Sequence, residues 1–282
     1  MKDMEELKRD GYFVMRQAVD TGVLESVRQS ISDFADTQIQ ELFSAGVIGD
    51  PHEEAPFETR WALVSRENDL QSGEHRVRQW GARSGLFAQS IYDLAVSSRL
   101  IEVIAPYIGP EIRAHGDYWI RPKVPGDPHT TLAWHQDSNY YGGKTSSGME
   151  VLTVWIPLVD VDENNGCMKV VRGSNQHGSI EARRNELSQM ESAGDVSKFG
   201  TITNVPMDVG DILVFTNLTL HASGNNSSDH VRWSIDLRYS SNDRPPDWHK
   251  LGEKIDTDFP SFIAHSEDPT KIMSFAQWQE KW

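Results

Sequence analysis

The 282-residue chain has a single cysteine, Cys167. One thiol excludes an internal disulfide, and a chain of this length can bury a sufficient core without one. It is also compatible with a reducing cytosol. Long apolar runs are missing as well, for none approaches the roughly 18 to 20 residues that a membrane-spanning helix needs. Basic residues are few, 27 Lys and Arg against 42 Asp and Glu, giving a formal charge of −15. Phosphate backbones are bound by basic patches, so nucleic acid is not an expected partner. The acidity does not by itself name a cationic substrate, because a surplus of this kind commonly just keeps a protein soluble. There is no internal repeat or low-complexity tract, and the opening Met1-Lys2-Asp3-Met4-Glu5-Glu6-Leu7 reads as an acidic helix start without an apolar leader. These absences predict a soluble cytoplasmic protein that engages neither membrane nor nucleic acid.

What is present divides into two patterns. Asp20 to Gln40 carries Val23, Leu24, Val27, Ile31, Phe34 and Ile39 near the 3.6-residue period of a helix. A similar pattern runs through Ile91, Leu94, Ala95 and Leu100 and on through Ile101 to Ile108, where Gly109-Pro110 stops it. Residues 46–58, rich in Gly, Pro and acid, read as a loop. From Glu111 the pattern changes to short strands: Ile112–Arg121, Thr131–Asp137, Val151–Leu158, Met168–Val171, Ile212–Phe215, His221–Ser223 and Val231–Tyr239. Turns are expected at 122–128, 142–148 and 162–166. The pattern predicts one domain over 1–282: a helical flank to about 110, a double-stranded β-helix or jelly roll over about 111–240, and a C-terminal extension over 241–282. Ser174 to Gly200 is long, polar and weakly helical in pattern, and reads either as a solvated excursion or as a lid.

The chemistry gathers around His135-Gln136-Asp137, with His221 far downstream. Two histidines and one carboxylate can occupy one face of an octahedral Fe(II) and leave the other face open. Residues separated by one residue on a strand point to the same side, so a strand at 131–137 would present His135 and Asp137 together, with a second strand supplying His221. Arg232 lies eleven residues beyond His221 and offers a planar fork suited to a carboxylate. Along its strand Arg232, Ser234 and Asp236 face away from Val231, Trp233, Ile235 and Leu237, which predicts a polar interior where a charged co-substrate could bind. Tyr140 and Tyr141 follow the metal motif and read either as an aromatic substrate wall or as packing for the next turn. The remaining histidines, His52, His75, His129, His177, His230, His249 and His265, lack ligand spacing; His115 shares a strand face with Asp117, Trp119 and Arg121.

Three stretches resemble a known family in order and spacing. They are Thr130-Thr131-Leu132-Ala133-Trp134-His135-Gln136-Asp137-Ser138-Asn139-Tyr140-Tyr141; Val154-Trp155-Ile156-Pro157-Leu158 with Asp162 to Met168 and Arg172-Gly173-Ser174-Asn175-Gln176-His177; and Gly210-Asp211 with Leu220-His221-Ala222-Ser223-Gly224-Asn225-Asn226 and Arg232. Together with Gly11-Tyr12 and Phe259-Pro260-Ser261-Phe262, they are similar to the phytanoyl-CoA dioxygenase family of Fe(II)/2-oxoglutarate-dependent oxygenases over nearly the whole chain. The chain departs from the family's usual Pro-Gly-Ser-His run at Arg172 and at Asn175-Gln176, which concerns a turn and not the metal motif.

The resemblance implies Fe(II), 2-oxoglutarate and O2 as reactants, with ascorbate as a stimulant. It implies His135, Asp137 and His221 as metal ligands, with Arg232 on the distal carboxylate of 2-oxoglutarate beside Ser223. Trp155 resembles a tryptophan lining that pocket, although an ordinary core role is as fitting. A basic residue before the metal strand, Arg78 or else Arg76, is implied near the co-substrate. Asp117 and Trp119 occupy positions that touch co-substrate or substrate in the family; Asp117 could equally pair with Arg121. The implied activity is hydroxylation of a small-molecule metabolite, with release of succinate and CO2. Desaturation, ring formation and epimerisation remain open on the same scaffold. Asp137 argues against a halogenase, which keeps a small residue there. A cupin-like isomerase or a non-catalytic metal-binding module would have no use for Arg232 and Ser223. No Lys/Arg cluster awaits CoA phosphates, so a free small polar or amphipathic substrate is expected.

Overall fold

The computed structural model describes residues 2–67, 77–141, 150–244 and 259–282. Arg76, His75, His249 and the expected turn at 142–148 lie outside the described residues. The N-terminal half is helical, as its periodicity predicts. Helix α1 (Lys2–Asp10) leads into strand β1 (Tyr12–Met15), and α2 (Thr21–Ser44) follows. Asp20 caps α2 by accepting from the Gly22 N–H at 2.8 Å, which satisfies one of the orphan donors of a helix start. The apolar stripe of α2 buries Leu24, Val27, Ile31, Ala35 and Ile39. After α3 (Phe57–Arg66), the segment read as one continuous helical pattern is two helices, α4 (Gln89–Ala95) and α5 (Ser98–Ile108). Ser97 takes an extended ψ of 133° between them, in keeping with the preference of serine for helix starts over interiors. No helix among the described residues is long and apolar enough to cross a membrane.

The β half holds β2 (Ile112–Ala114), β3 (Trp119–Lys123), β4 (Val151–Pro157), β5 (Met168–Arg172), β6 (Ala182–Arg184), β7 (Met190–Ser192), β8 (Thr201–Val205), β9 (Ile212–Thr216), β10 (His221–Ser223), β11 (Arg232–Ser241) and β12 (Phe262–His265). A short C-terminal helix, α6 (Phe275–Gln279), closes the chain. The large antiparallel sheet runs β1-β9-β4-β11-β2-β12, with β3 also paired to β11, and the small sheet runs β10-β5-β8. Side chains from β4, β9 and β11 meet those of β5 and β10 around one internal pocket, so the two sheets face each other as a jelly roll.

Three expected elements differ. Ile112–Arg121 is not one strand, because 115–118 leaves the ladder where Gly116 passes the C-terminal segment. A Cβ there would stand 2.5 Å from the Pro260 carbonyl oxygen. Thr131–Asp137 is not a regular strand either: only His135 pairs, in a single bridge to His221, and Asp137–Asn139 forms a 3-10 turn. Ser174 to Gly200 holds the β6–β7 hairpin between two 3-10 turns, and no α-helix.

The outer face of β11 carries the junction of the two halves. Trp233 stacks on Phe57 at 5.0 Å and on Trp80 at 5.6 Å, and its Nε1 donates to the Phe57 carbonyl at 3.2 Å. Trp80 in turn meets Phe34 and Trp61 edge-on. Trp233→Ala should therefore cost about 3 to 5 kcal/mol of stability. Chemical denaturation would measure it, and a loss below about 1 kcal/mol would show that this stack does not join helices to sheet.

Candidate metal centre

His135 and His221 are brought together by backbone pairing. His135 N–H donates to the His221 carbonyl at 3.0 Å, and His221 N–H donates back at 2.9 Å. Gln136, with φ −106° and ψ 143°, is extended, so Asp137 falls on the same side as His135 although the segment is not a strand. Gln136 points the other way and is fixed there by the Gly178 and Leu218 carbonyls and the Ile180 N–H. The three candidate ligands are buried, and one ligand atom of each lies within 4.8 Å of the others. Asp137 Oδ1 stands 3.8 Å from His135 Nε2 and 3.6 Å from His221 Nε2. Two donors at right angles on an ion, each bonded at roughly 2.1 Å, would stand about 3 Å apart, so small adjustments close the set on one ion.

The surroundings prepare the ligand forms that a divalent metal needs. His135 Nδ1 lies 2.7 Å from the Ala133 carbonyl and His221 Nδ1 lies 3.0 Å from the Thr219 carbonyl. A carbonyl can only accept, so each Nδ1 carries the proton and each Nε2 offers a lone pair. Burial and the neighbouring His221 push the His135 imidazole down to about 3, and burial lowers His221 too. Burial alone would raise the Asp137 carboxyl. Arg238 and the Thr153 hydroxyl oppose it and hold the group well below the usual carboxylate range. Thr153 Oγ1 donates to Asp137 Oδ2 at 2.6 Å, and Arg238 Nε lies 3.7 Å from the same oxygen. Neutral imidazoles and an ionised carboxylate suit Fe(II).

Beside the triad is a small inner pocket lined by Arg232, Ser223, Trp155, Met168 and Phe215. The Arg232 guanidinium lies 5.2 Å from the centre of the Trp155 ring and donates to Ser234 Oγ at 2.6 Å, while its Nε has no hydrogen-bond partner among the described residues. No carboxylate among the described residues lies within ion-pair distance of it. Its cross-strand neighbour is Lys123, whose Nζ donates to the Thr130 carbonyl at 3.0 Å and to Thr131 Oγ1 at 3.1 Å. Burial and Arg121 pull the Arg232 guanidinium down to about 9, and burial, Arg232 and Arg121 pull the Lys123 amine well below its ordinary range. A buried cation without a counterion is costly. The pocket therefore suits an anionic ligand, and a dicarboxylate reaching from metal to Arg232 fits it. Ser223 Oγ accepts from Leu132 N–H at 2.9 Å, which leaves the hydroxyl able to donate to such a ligand.

A second cavity of about 860 Å3 lies on the other side of the triad and shares His135, Asp137, Arg121 and Arg238 with the inner pocket. Asp117, Trp119, Tyr140 and Tyr141 line it, as does Arg78. The structure thus places Arg78 in the outer cavity, where it donates to the Leu187 carbonyl at 2.8 Å, and not in the pocket of Arg232. Asp117 is not paired with Arg121. Arg121 is engaged by Asp236 at 2.7 and 3.1 Å, whereas Asp117 lies 3.8 Å from Arg238 and 3.5 Å from the Tyr141 hydroxyl. Burial pushes the Asp117 carboxyl up to about 6. Tyr140 meets His135 edge-on at 5.5 Å, with its hydroxyl accepting from Met190 N–H at 3.1 Å.

Sequence reasoning missed Thr153, Arg238, Lys123 and Gln189. The first two carried a signal: Arg238 continues the same-face series of Arg232, Ser234 and Asp236, and Thr153 sits two residues before Trp155. The family model described as "Phytanoyl-CoA dioxygenase (PhyH)" matches residues 7–234. Peroxisomal phytanoyl-CoA dioxygenase of Mus musculus is 22% identical over 161 residues, covering 55% of this chain and 47% of that protein. The chain thus spans about half the length of that relative. Among solved structures, the epimerase SnoN, in complex with Fe3+, alpha ketoglutarate and nogalamycin RO, aligns with a TM-score of 0.58 at 21% identity, covering 89% of this chain and 88% of that one. EctD from S. alaskensis, with 2-oxoglutarate and 5-hydroxyectoine, aligns with a TM-score of 0.60 at 18% identity, covering 87% and 77%.

Proposed function

The chain belongs to the phytanoyl-CoA dioxygenase family, and on that premise we propose that it is an Fe(II)- and 2-oxoglutarate-dependent oxygenase that hydroxylates a small-molecule metabolite. The observation that carries this reading is the sharing of one internal space by the His135, Asp137 and His221 triad and the uncompensated guanidinium of Arg232. A metal site alone would serve many proteins. A metal site facing a buried cation without a counterion calls for a ligand with an anionic end, which is how 2-oxoglutarate would be held.

In this mechanism His135, Asp137 and His221 would hold the metal, and Arg232 and Ser223 would receive the distal carboxylate of the co-substrate. Bound iron would supply oxygen activation, driven by the conversion of 2-oxoglutarate to succinate and CO2. Thr153 and Arg238 keep Asp137 ionised and oriented. The outer cavity, walled by Trp119, Tyr140 and Tyr141, reaches His135 and Asp137, so a substrate held there would lie beside the bound metal. The tie of Arg121 and Arg238 to Asp236 and Asp117 leaves the cavity with few free cations, which favours a small polar or amphipathic substrate over an acyl-CoA.

Mass spectrometry of a metabolite panel incubated with protein, Fe(II), ascorbate and 2-oxoglutarate tests the reading. The expected result is a product heavier by one oxygen atom, formed in step with succinate. Epimerisation is the second reading, favoured by the likeness to SnoN and by Tyr140 beside His135, since a phenol there can return a hydrogen atom to the substrate, with the ascorbate of the assay supplying the two electrons that restore the phenol and the metal. Its signature is succinate formation with a product of unchanged mass. Absence of any 2-oxoglutarate turnover across the panel would count against both readings.

A further inference from the structure

The stretch 131–134, which carries the chain into His135, lies outside the ladders of both sheets, yet it holds the carbonyl that orients a metal ligand. Its hydrogen bonds go elsewhere. Gln189, at the inner end of the β6–β7 hairpin, is buried, with 5% of its surface exposed. Its Oε1 accepts from Ala133 N–H at 3.0 Å and its Nε2 donates to the Thr131 carbonyl at 3.0 Å. One side-chain amide thus gives residues 131–133 the donor and acceptor pairing that a neighbouring strand's peptide unit would give. The Ala133 carbonyl, held by this clamp, accepts from His135 Nδ1.

The hairpin is built to aim this residue inward. Asn185 Oδ1 accepts from both Leu187 and Gln189 N–H groups, and Ser188 adopts φ +60° between them. A left-handed conformation at a non-glycine residue stores strain and persists only where its surroundings enforce it. Ser188 and Gln189 also line the outer cavity, and Ser192 N–H reaches the Trp134 carbonyl at 2.7 Å.

We propose that Gln189 is a positioning residue of the metal centre: its amide replaces the missing strand neighbour of residues 131–133, fixes the tautomer and orientation of His135, and couples that ligand to the hairpin bordering the outer cavity. The proposal rests on reading His135, Asp137 and His221 as a metal site.

The test is anaerobic titration of Fe(II) into apo protein, wild type against Gln189→Leu, Gln189→Glu and Arg184→Ala. Leucine keeps the bulk without the hydrogen bonds. Glutamate keeps the acceptor for Ala133 N–H but loses the donor to Thr131. The Arg184 side chain donates to the Ser188 carbonyl at 2.9 Å and has no hydrogen bond to residues 131–133, so Arg184→Ala loosens the hairpin without breaking a bond to that stretch. Substitution of outer partners of metal ligands typically weakens metal binding about 10- to 100-fold. Gln189→Leu should fall in that range, Gln189→Glu between it and wild type, and Arg184→Ala within about twofold of wild type by the same reasoning. 2-Oxoglutarate affinity at saturating metal should change little in Gln189→Leu, because Arg232 is untouched. Histidine 15N spectra of the apo protein give an independent readout: His135 should hold its Nδ1–H tautomer in wild type and show a mixture in Gln189→Leu. Unchanged metal affinity and tautomer in a folded Gln189→Leu protein would overturn the proposal, as would an equal loss in Arg184→Ala. Failure of wild type to bind Fe(II) would instead defeat the metal reading, and this inference with it.

Discussion

Alanine at His135, Asp137 or His221, introduced one at a time, is expected to abolish turnover, while wild type binds one Fe(II) per chain. Each residue supplies a third of the protein's donors, and two remaining ligands do not hold a labile divalent ion in a fixed geometry. The three changes should nevertheless differ without metal. Loss of either imidazole removes a neutral buried group. Asp137→Ala removes the carboxylate that Thr153 and Arg238 face, so it strands a buried hydroxyl and deprives a buried arginine of one of its three acidic neighbours. Apo Asp137→Ala should therefore be the least stable of the three on thermal unfolding. Asp137→Gly adds a sharper version, because it opens a coordination position large enough for chloride while hydroxylation falls. Iron quantitation with single-turnover succinate measurement decides the matter. Substantial activity in any one alanine variant would remove that residue from the centre.

Arg232→Ala should raise the dissociation constant for 2-oxoglutarate by about 100-fold or more. Stranding one partner of a buried charged pair typically costs about 3 to 5 kcal/mol, and about 1.4 kcal/mol is tenfold in affinity. Arg232→Lys should recover only part of the loss, since an ammonium lacks the planar fork. Iron binding should survive both changes. Because Arg232 is buried without a carboxylate partner among the described residues, its removal should not destabilise the co-substrate-free protein. This is the reverse of what deleting half of a structural ion pair would do. Titration of 2-oxoglutarate into the iron-loaded protein without oxygen, followed by thermal unfolding of the apo forms, checks both signs. An Arg232→Ala protein that binds 2-oxoglutarate as tightly as wild type would defeat the assignment.

Sequence periodicity located what depends on local alternation. The strands at 151–157, 168–172, 212–216, 221–223 and 232–241 all lie where their patterns predict, and so does the inward face of Arg232, Ser234 and Asp236. The same rule, carried one step further along β11 and back along β4, would have reached Arg238 and Thr153. What stayed hidden depends on distant partners. Thr131–Asp137 has strand-like composition, but its pairing is satisfied by Ser223, Gln189 and one bridge to His221, none of them adjacent in sequence. In β6 the consecutive Arg183 and Arg184 are both exposed, so its sequence does not alternate, and the hairpin's turn is closed by Asn185 and a strained Ser188. The placement of Arg78 was likewise invisible, since its partner Leu187 belongs to that hairpin.

β11 gives its two faces to unlike neighbours: Arg232, Ser234, Asp236 and Arg238 turn inward, while Trp233 enters the aromatic stack under the helices. In genetic terms this makes the strand a reading frame of its own. A substitution edits one position and leaves the rest legible. Deletion of a single codon between Arg232 and Arg238 would exchange the faces of every residue on one side of the lesion, carrying guanidinium groups toward the tryptophans and apolar side chains toward the metal. Variation in this chain should therefore accumulate on β11 as replacements and not as changes of length.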